Sequence, residues 1–253
     1  MSFPEDALTR DAFLGGRLTL LQPRRGYRAA ADPVFLAAFV PAAAGQSVLE
    51  LGCGAGAASL CLAARVPGLD LHGLELQADY ADLARRNAVL NGIGFTVHEG
   101  DLRAMPTALA ARNFDHLLMN PPFHPAAASP SPLPGRAAAH TEDAPLGIWI
   151  DAALRRLRPQ GCLTLIHLAA RLDEVLAAIA GRTGRIEILP LAPREGRPAS
   201  RVLVRAVKGA ASPLVLHPPL VLHAGLRHLR DGDDYTVRAA RVLRKAAPLP
   251  CPE

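Results

Sequence analysis

The sequence predicts an α/β fold in which a mostly parallel sheet carries helices on both of its faces. From about residue 47, short apolar runs alternate with helical patterns, as a series of βαβ units requires. A glycine-rich segment, residues 50–56, stands where the first of these strands meets the first helix. Polar residues then follow three more strands in turn, at Glu75, Asp101 and Asn120. These observations predict an open sheet with a ligand site at its carboxyl edge.

Seven strands are predicted along the central part of the chain, each a short apolar run bounded by turn residues. They cover residues 48–51, 70–75, 95–98, 114–119, 162–168, 186–191 and 201–207. Helical patterns connect them over residues 57–65, 78–91, 146–157 and 172–180. Asn91 and Gly92 end the second of these helices, and residues 159–161 form a turn before the fifth strand. Residues 121–145 contain seven prolines and are predicted to form a long functional loop.

The two ends of the chain are less regular. Residues 1–46 combine a strand-like stretch at 17–22, a turn at 24–28 and a helix at 34–40, and we expect them to pack on the sheet as an appendage. Residues 47–210 form the predicted core. Residues 211–253 form an extension, with a strand pair at 214–216 and 220–222 and a basic helix at 236–245.

Composition restricts the class of protein. Half of the 253 residues are apolar, but no uninterrupted apolar run approaches the roughly 18 residues that span a bilayer. The first residues lack the basic-then-apolar pattern of a secretory signal, so we expect a cytoplasmic protein. The four cysteines show no CxxC pairing, which predicts neither disulfides nor a metal site.

The net charge of +5 is distributed unevenly. Residues 1–120 hold 10 arginines and 12 acids, whereas residues 121–253 hold 18 basic residues and 11 acids. A basic surplus of this kind favours a polyanionic partner such as RNA. A bias in base composition is the alternative explanation, because 26 of the 28 basic residues are arginines.

The tetrapeptide Asn120-Pro121-Pro122-Phe123 carries the most chemical information. Two consecutive prolines cannot continue a sheet ladder, and each proline restricts the residue before it. The Asn120 side-chain oxygen and the Pro121 carbonyl can therefore accept the two hydrogens of a planar NH2 group, while Phe123 stacks on the ring. This predicts a binding site for an amine that is to be alkylated. Alone, the tetrapeptide is also compatible with an ordinary turn at a strand end.

The glycine-rich segment predicts a nucleotide-like cofactor. Its spacing satisfies both GxGxG and the dinucleotide fingerprint, so it does not choose between cofactors. Glu50, just before the glycines, favours a cofactor with a positively charged amino acid end, as in S-adenosylmethionine. Glu75 suits ribose hydroxyls in either class, and Asp101 suits an adenine amino group, with Leu102 packed on the ring. Each acid taken singly is better explained as a loop residue or helix cap, but three acids at three successive strand ends favour a site.

Together these motifs resemble those of the Rossmann-type, class I amino-methyltransferases in both order and spacing. The resemblance extends to one group within this class, the bacterial tRNA adenine-N6 methyltransferases that modify an adenine beside the anticodon of a valine tRNA. The segments that carry it are residues 13–18, 22–28, Asp32 and 139–142. The likeness covers about residues 11–210. It departs at Phe123, where many relatives carry tyrosine; the stacking face is kept and a hydroxyl is lost.

The resemblance implies a Rossmann-like class I methyltransferase fold, S-adenosylmethionine as cofactor, and tRNA as partner. The catalytic candidates are Asn120, Pro121, Pro122 and Phe123. The cofactor-binding candidates are Arg28, Glu50, Gly52, Gly54, Ala55, Gly56, Glu75, Leu76, Asp101, Leu102 and Asn120. For the RNA, the candidates are Tyr27 and His124 as second stacking partners and a phosphate track of Arg194, Arg197, Arg201 and Arg205. Exposed loop histidines such as His124 and His140 are usually without a chemical role.

Several alternatives stay open at this level. Release-factor glutamine methyltransferases share the tetrapeptide, but normally with tyrosine and a longer N-terminal helical domain. Ribosomal guanine-N2 methyltransferases resemble residues 120–124, but usually carry a duplicated N-terminal domain for which 46 residues are too few. An NAD-dependent oxidoreductase explains the glycines and Glu75 without explaining Asn120. An RNA-binding module without enzymatic activity is the remaining possibility.

Overall fold

A computed structural model describes residues 2–125, 141–142, 144–225, 227 and 234–250. The strands are β1 Leu8–Phe13, β2 Leu18–Pro23, β3 Ser47–Leu51, β4 Asp70–Glu75, β5 Thr96–Glu99, β6 Phe114–Met119, β7 His124–Pro125, β8 Thr141–Glu142, β9 Leu157–Leu168, β10 Thr183–Ala192, β11 Arg201–Lys208, β12 Val215–Leu216 and β13 Leu220–Val221. The α-helices are α1 Asp32–Phe39, α2 Ala57–Arg65, α3 Ala78–Leu90, α4 Thr107–Ala110, α5 Leu146–Arg156, α6 Leu172–Ile179 and α7 Val237–Lys245. Across the described ranges, no helix has the length and apolar character needed to cross a membrane.

The main sheet has the order β12-β10-β11-β9-β6-β3-β4-β5, with β13 also paired to β10, giving nine strands within the described ranges. The pairs from β5 across to β9 are parallel, while β11 runs antiparallel to both β9 and β10. The predicted mostly parallel α/β sheet is confirmed, and its seven core strands are all present. The two additional strands are short and lie at one edge.

Helices cover both faces of this sheet because its strands alternate in side-chain direction. Leu118, Ile166 and Leu203 belong to one buried cluster, which also contains residues of α1, α2 and α7. Their neighbours Leu117 and Leu165 belong to a second cluster, which contains residues of α5 and α6. Two separate cores therefore hold the sheet, as a doubly covered sheet requires.

The first 46 residues include an antiparallel hairpin of β1 and β2, of which only the second strand was predicted. Asn87 and Asn91 on α3 attach β2. Asn87 Oδ1 accepts from the Leu21 N–H at 2.7 Å and its Nδ2 donates to the carbonyls of Leu21 and Ala55, while Asn91 makes the same pair of bonds to Thr19. On the side of β2 that faces α3, side-chain amides thus make the hydrogen bonds that a second partner strand would make. The division of the chain into three segments stays a prediction.

Three sequence expectations are wrong in detail. The strand pair predicted near residues 214–222 does not form, because β12 and β13 both pair in parallel with β10 rather than with each other. The turn predicted at 159–161 lies inside β9, where Gln160 adopts a left-handed conformation with φ 63°. Strand β10 is longer than predicted and contains an irregularity between Gly184 and Glu187. Of the predicted loop at 121–145, residues 126–140 and 143 lie outside the described residues.

Candidate active site

The carboxyl ends of β3, β4, β5 and β6 meet at one edge of the sheet, where they open into a cavity of about 250 Å³. Most of the predicted site residues line it. They are Tyr27, Glu50, Gly52, Gly54, Ala55, Glu75, Leu76, Asp101, Leu102, Asn120, Pro121, Pro122 and Phe123. The expectation of a site at this edge is supported by this common location of residues that lie up to 96 positions apart in the chain.

The glycine loop between β3 and α2 has a backbone that other residues rarely adopt. Gly52, Gly54 and Gly56 have φ of 65°, 52° and 85°. A Cβ on Gly52 would lie 2.7 Å from the Trp149 ring, and one on Gly54 would lie 3.6 Å from the Tyr27 ring. The loop therefore exposes main chain to the cavity between two aromatic side chains. Gly56 is not part of the lining; it is the N-cap of α2, packed near Phe95.

Glu50 is buried at the base of this loop, with 3% of its surface exposed. Its Oε2 accepts hydrogen bonds from the Ser59 backbone N–H at 3.0 Å and from the Ser59 Oγ at 2.6 Å. Burial raises the pKa of this carboxyl to about 8, although the bonds from Ser59 act in the opposite direction. A nearby cation would favour the ionised form, so the charge of Glu50 depends on what occupies the cavity.

Glu75 ties the end of β4 to the glycine loop. One carboxylate oxygen accepts from the Gly54 N–H at 2.8 Å and the other from the Gln77 N–H at 2.9 Å. Burial raises the pKa of Glu75, whereas these backbone bonds lower it. The carboxylate is thus fixed in orientation at the wall of the cavity.

Asp101 is held by a neighbour that the sequence did not suggest. The Arg103 guanidinium donates to both oxygens of Asp101, with Nε at 3.0 Å and 2.9 Å and Nη2 at 2.5 Å, and also lines the cavity. The hydrogen bond from Arg103 holds the pKa of Asp101 below its usual value. Asp101 is therefore an ionised acceptor at this wall.

Asn120 presents an unsatisfied acceptor. Its Oδ1 is buried and, within the described part of the chain, has no hydrogen-bond partner. A buried amide oxygen without a partner costs about 1–3 kcal/mol, so its position requires an explanation. The sequence predicted an acceptor aimed into the site at this residue.

Phe123 is held on several sides. The Arg201 guanidinium lies over its ring at 4.5 Å from the centroid, and Arg201 Nε pairs with Asp32 at 3.1 Å. His167 meets the ring edge-on, with centroids 5.6 Å apart and planes at 88°. The Phe123 carbonyl accepts from Arg171 Nη1 at 3.3 Å. The ring thus has a fixed orientation at the rim of the cavity.

His167 is a buried neutral residue behind this ring. It has no exposed surface, and neither ring nitrogen has a partner among the described residues. Burial and the nearby Arg171 charge lower its pKa to about 4. His167 is therefore uncharged at neutral pH, which suits an edge contact with an aromatic ring.

Several candidates lie elsewhere than expected. Arg28 does not line the cavity, because its guanidinium binds Asp11, the Thr9 hydroxyl and the Pro23 carbonyl within the hairpin. Tyr27 lines the cavity as expected and packs beside Gly54. The side chains of His124 and His140 lie outside the described part of the chain.

The predicted arginine track does not form a continuous free surface. Arg194 pairs with Asp234 at 2.5 Å, and Arg205 pairs with Glu187 at 2.7 Å while covering the Phe39 ring. Arg201 supports Phe123, as described above. Arg197 alone of the four is exposed without an ion pair to another described residue. Most of this series is structural.

Trp149 is a site residue that the sequence reasoning missed. It lies on α5, lines the cavity against Gly52, and its buried Nε1 has no acceptor among the described residues. It is the one tryptophan of the whole sequence. The sequence pattern predicted a helix after the proline-rich loop. It did not indicate that the turn of α5 carrying Trp149 faces the glycine loop.

Fold and cavity together define an S-adenosylmethionine-dependent N-methyltransferase of class I, in which a glycine loop, strand-end carboxylates and an Asn-Pro-Pro-Phe segment share one edge of a Rossmann-like sheet. The chain belongs to the Methyltransferase small domain family, whose model matches residues 31–180, more than half of its length.

Individual relatives are methyltransferases as well, by their descriptions. A tRNA1(Val) (adenine(37)-N6)-methyltransferase of Porphyromonas gingivalis is 28% identical over 227 residues, which cover 82% of this chain and 88% of the relative. One of the same name from Aeromonas hydrophila is 30% identical and covers 70% of this chain and 75% of the relative. A crystal structure from Agrobacterium tumefaciens, described as a predicted O-methyltransferase, is 27% identical, with a TM-score of 0.67, and covers 86% of this chain and 97% of that one.

Proposed function

We propose that this enzyme methylates the exocyclic N6 amine of an adenine in tRNA, near the anticodon, in the cytoplasm. The observation that carries the proposal is the buried Oδ1 of Asn120, which has no partner within the described residues and belongs to a residue that lines the cavity beside Pro121 and Phe123. An acceptor of this kind matches an NH2 group, which has two hydrogens to donate. The names of the relatives support adenine as the base and tRNA as its carrier.

The cavity lining fits S-adenosylmethionine. Glu50 is placed to meet a positively charged amino acid end, Glu75 the ribose hydroxyls, and Asp101 with Leu102 the adenine. Gly52 and Gly54 line the cavity without a side chain, so a ligand can approach the main chain closely. When bound, the cofactor supplies an electrophilic methyl group on a sulfonium.

The protein's contribution to the reaction is to position the amine, because an in-line displacement needs alignment more than a strong base. Asn120 Oδ1 and the Pro121 carbonyl accept the two amine hydrogens. Acceptance favours the pyramidal nitrogen of the transition state over the planar ground state. Phe123 supplies the stacking face, and since Arg201 covers the ring but does not line the cavity, the base stacks on the face turned toward the cavity.

The test is to incubate the protein with labelled S-adenosylmethionine and, separately, total tRNA, ribosomal RNA or release factor, followed by nucleoside and peptide mass analysis. N6-methyladenosine in tRNA is the expected product. Label on a glutamine side chain or on guanine N2 would overturn the proposed substrate. Absence of cofactor binding together with RNA binding would identify a module without enzymatic activity.

The Asn120→Ala variant tests the hydrogen bond from the amine to the Asn120 side chain. We expect methyl transfer to fall by about 10²–10³-fold, as when one preorganised polar contact to a transition state is removed. The exposed Asn113, at the opposite end of β6, provides the matched control Asn113→Ala, which should keep full activity. Full transfer by Asn120→Ala, with cofactor affinity retained, would contradict the proposed role.

A further inference from the structure

Part of the positive charge in the second half of the chain is paired within the fold. Arg158, Arg182 and Arg194 form ion pairs with acids, and the Lys208 ammonium donates to two backbone carbonyls. These cations are not available to a distant polyanion. The free positive charge must therefore be sought on other elements.

Helix α7 carries such a group of charges. Arg238, Arg241 and Lys245 are exposed, and none of them forms an ion pair with another described residue. At 3.6 residues per turn these three positions fall within an arc of about 60° and along about 10 Å of the helix axis. We call these three residues the α7 stripe. The helix contains no acid, so no negative charge on it offsets the positive charge of the stripe.

The helix is firmly attached to the domain. Ala239 and Val242 are fully buried, and the Thr236 hydroxyl caps the helix by accepting from the Ala239 N–H at 3.2 Å. The apolar side of α7 is thus mostly covered by the protein, and Val237 in the first turn is the exception, a single exposed valine. A lipid surface would need exposed apolar groups to insert, whereas a phosphate backbone needs only charge.

The position of α7 relates the stripe to the cavity. The Thr236 N–H donates to the Leu222 carbonyl, and the Leu222 N–H donates to the carbonyl of Ala192, the last residue of β10. Since β10 is parallel to β9 and β6, its end lies at the same edge of the sheet as Asn120. The α7 stripe therefore begins at the edge that holds the cavity and extends away from it.

We propose that the α7 stripe binds the phosphate backbone of the RNA whose base enters the cavity; this inference rests on the proposed function. About 10 Å corresponds to three base pairs of rise along a duplex strand, so the stripe can contact two or three successive phosphates. Such contacts position the RNA without reading its sequence.

The test is a double variant, Arg238→Glu/Arg241→Glu, measured for affinity to unmodified tRNA at several salt concentrations. We expect the Kd to rise at least tenfold and the slope of log K against log salt to decrease by about two, one for each lost phosphate contact. The KM for tRNA should rise while kcat at saturating tRNA and the affinity for S-adenosylhomocysteine stay unchanged. The neutral variant Arg238→Gln/Arg241→Gln should show a smaller change in the same direction, and it remains informative where the charge reversal disturbs folding.

The matched control is Arg155→Glu, which reverses another exposed arginine without an ion pair to a described residue, in the last turn of α5 and so at the opposite edge of the sheet. Its tRNA affinity should change less than twofold. Equal losses of binding free energy per reversed arginine for the α7 and Arg155 variants would overturn the inference in favour of an unspecific effect of net charge. Unchanged tRNA binding by both α7 variants, while the wild type methylates tRNA, would overturn it and leave the proposed function intact. Failure of the wild type to methylate any tRNA would instead contradict the proposed function.

Discussion

Gly52 is the position in the site where a single added carbon should do the most harm. Its φ of 65° disfavours any side chain, and a Cβ would lie 2.7 Å from the Trp149 ring. We expect Gly52→Ala to displace the indole into the cavity and to weaken binding of S-adenosylhomocysteine at least tenfold. Isothermal titration calorimetry measures this change, and the fluorescence of the single tryptophan should report the displaced ring.

Gly92 offers a control that separates the effect of the left-handed backbone from the effect of the contact with Trp149. Its φ of 63° nearly equals that of Gly52, but no atom lies within 4 Å of the Cβ that a substitution would add. The Gly92→Ala variant should therefore lose only the roughly 1–2 kcal/mol of stability that a left-handed backbone costs a residue with a side chain. Its affinity for S-adenosylhomocysteine should stay unchanged. Equal effects of the two substitutions on binding would contradict the role assigned to the Trp149 contact.

The raised pKa of Glu50 leads to a pH-dependent affinity. At neutral pH the buried carboxyl is mostly protonated in the ligand-free protein, because its pKa is about 8. If the charged form binds the ammonium of the cofactor, binding releases a proton, and affinity for S-adenosylhomocysteine should rise from about pH 6 to about pH 8 by up to tenfold per unit. Titration at a series of pH values measures this slope.

Glu50→Gln supplies the control and a second measurement. The variant should show weaker binding with little slope over the same pH range. Because the folded-state pKa of Glu50 is raised above its unfolded value of about 4.5, its stabilising contribution is complete below that pH and is lost as pH rises toward 8. Denaturant unfolding should show this decline in the wild type and not in the variant. A wild-type affinity that falls with pH would rule out the proposed contact.

Individual residues of the cavity lining were predictable where a strand end determined their location. Glu50, Glu75, Asp101 and Asn120 all line the cavity, as expected from a parallel sheet whose carboxyl ends converge. Arg103 and Trp149 were not predictable. Their contacts depend on the path of a loop and on the rotation of a helix, which local patterns do not fix.

Asn87 on α3 connects three separate parts of the chain, and its loss should be costly. The side chain is fully buried and satisfies both polar groups of Leu21 in β2 and the carbonyl of Ala55 in the glycine loop. Asn87→Ala leaves these groups unpaired, so we expect a loss of about 3 kcal/mol in the free energy of unfolding. Urea denaturation measures it, and the exposed Asn113→Ala should change stability by less than about 0.5 kcal/mol. A loss below 1 kcal/mol for Asn87→Ala would show that water replaces the amide.

The elements with a clear period and clear boundaries were found, including all seven core strands. Strand β1 was missed because its exposed positions are charged or small and its single buried residue, Leu8, leaves little apolar alternation. The strands β12 and β13 were found but wrongly paired. Two short neighbouring strands favour a hairpin locally, and only the open edge of β10, a tertiary feature, offers each of them a longer partner.

The whole domain should be stabilised by its ligand, because the cavity is built from the ends of four strands, a helix start and the N-terminal segment. A ligand present at 100 times its Kd adds about 2.7 kcal/mol, which for a chain of this size raises the Tm by roughly 5–10 °C. Calorimetry with S-adenosylhomocysteine should show this shift. NAD at the same concentration should leave the Tm unchanged, and a larger shift with NAD would contradict the identity of the cofactor.

The restraints on Phe123 have a consequence for the energetics of recognition. A side chain that becomes immobilised only when its partner arrives contributes a loss of rotamer entropy, about 0.5–1.5 kcal/mol, to the free energy of association. Arg201 over the ring and His167 beside it have already restricted that freedom during folding, and the bond from Arg171 to the Phe123 carbonyl fixes the main chain that carries the ring. A base that stacks on Phe123 therefore meets a preorganised surface, and the free energy of stacking is available for turning the base out of the RNA.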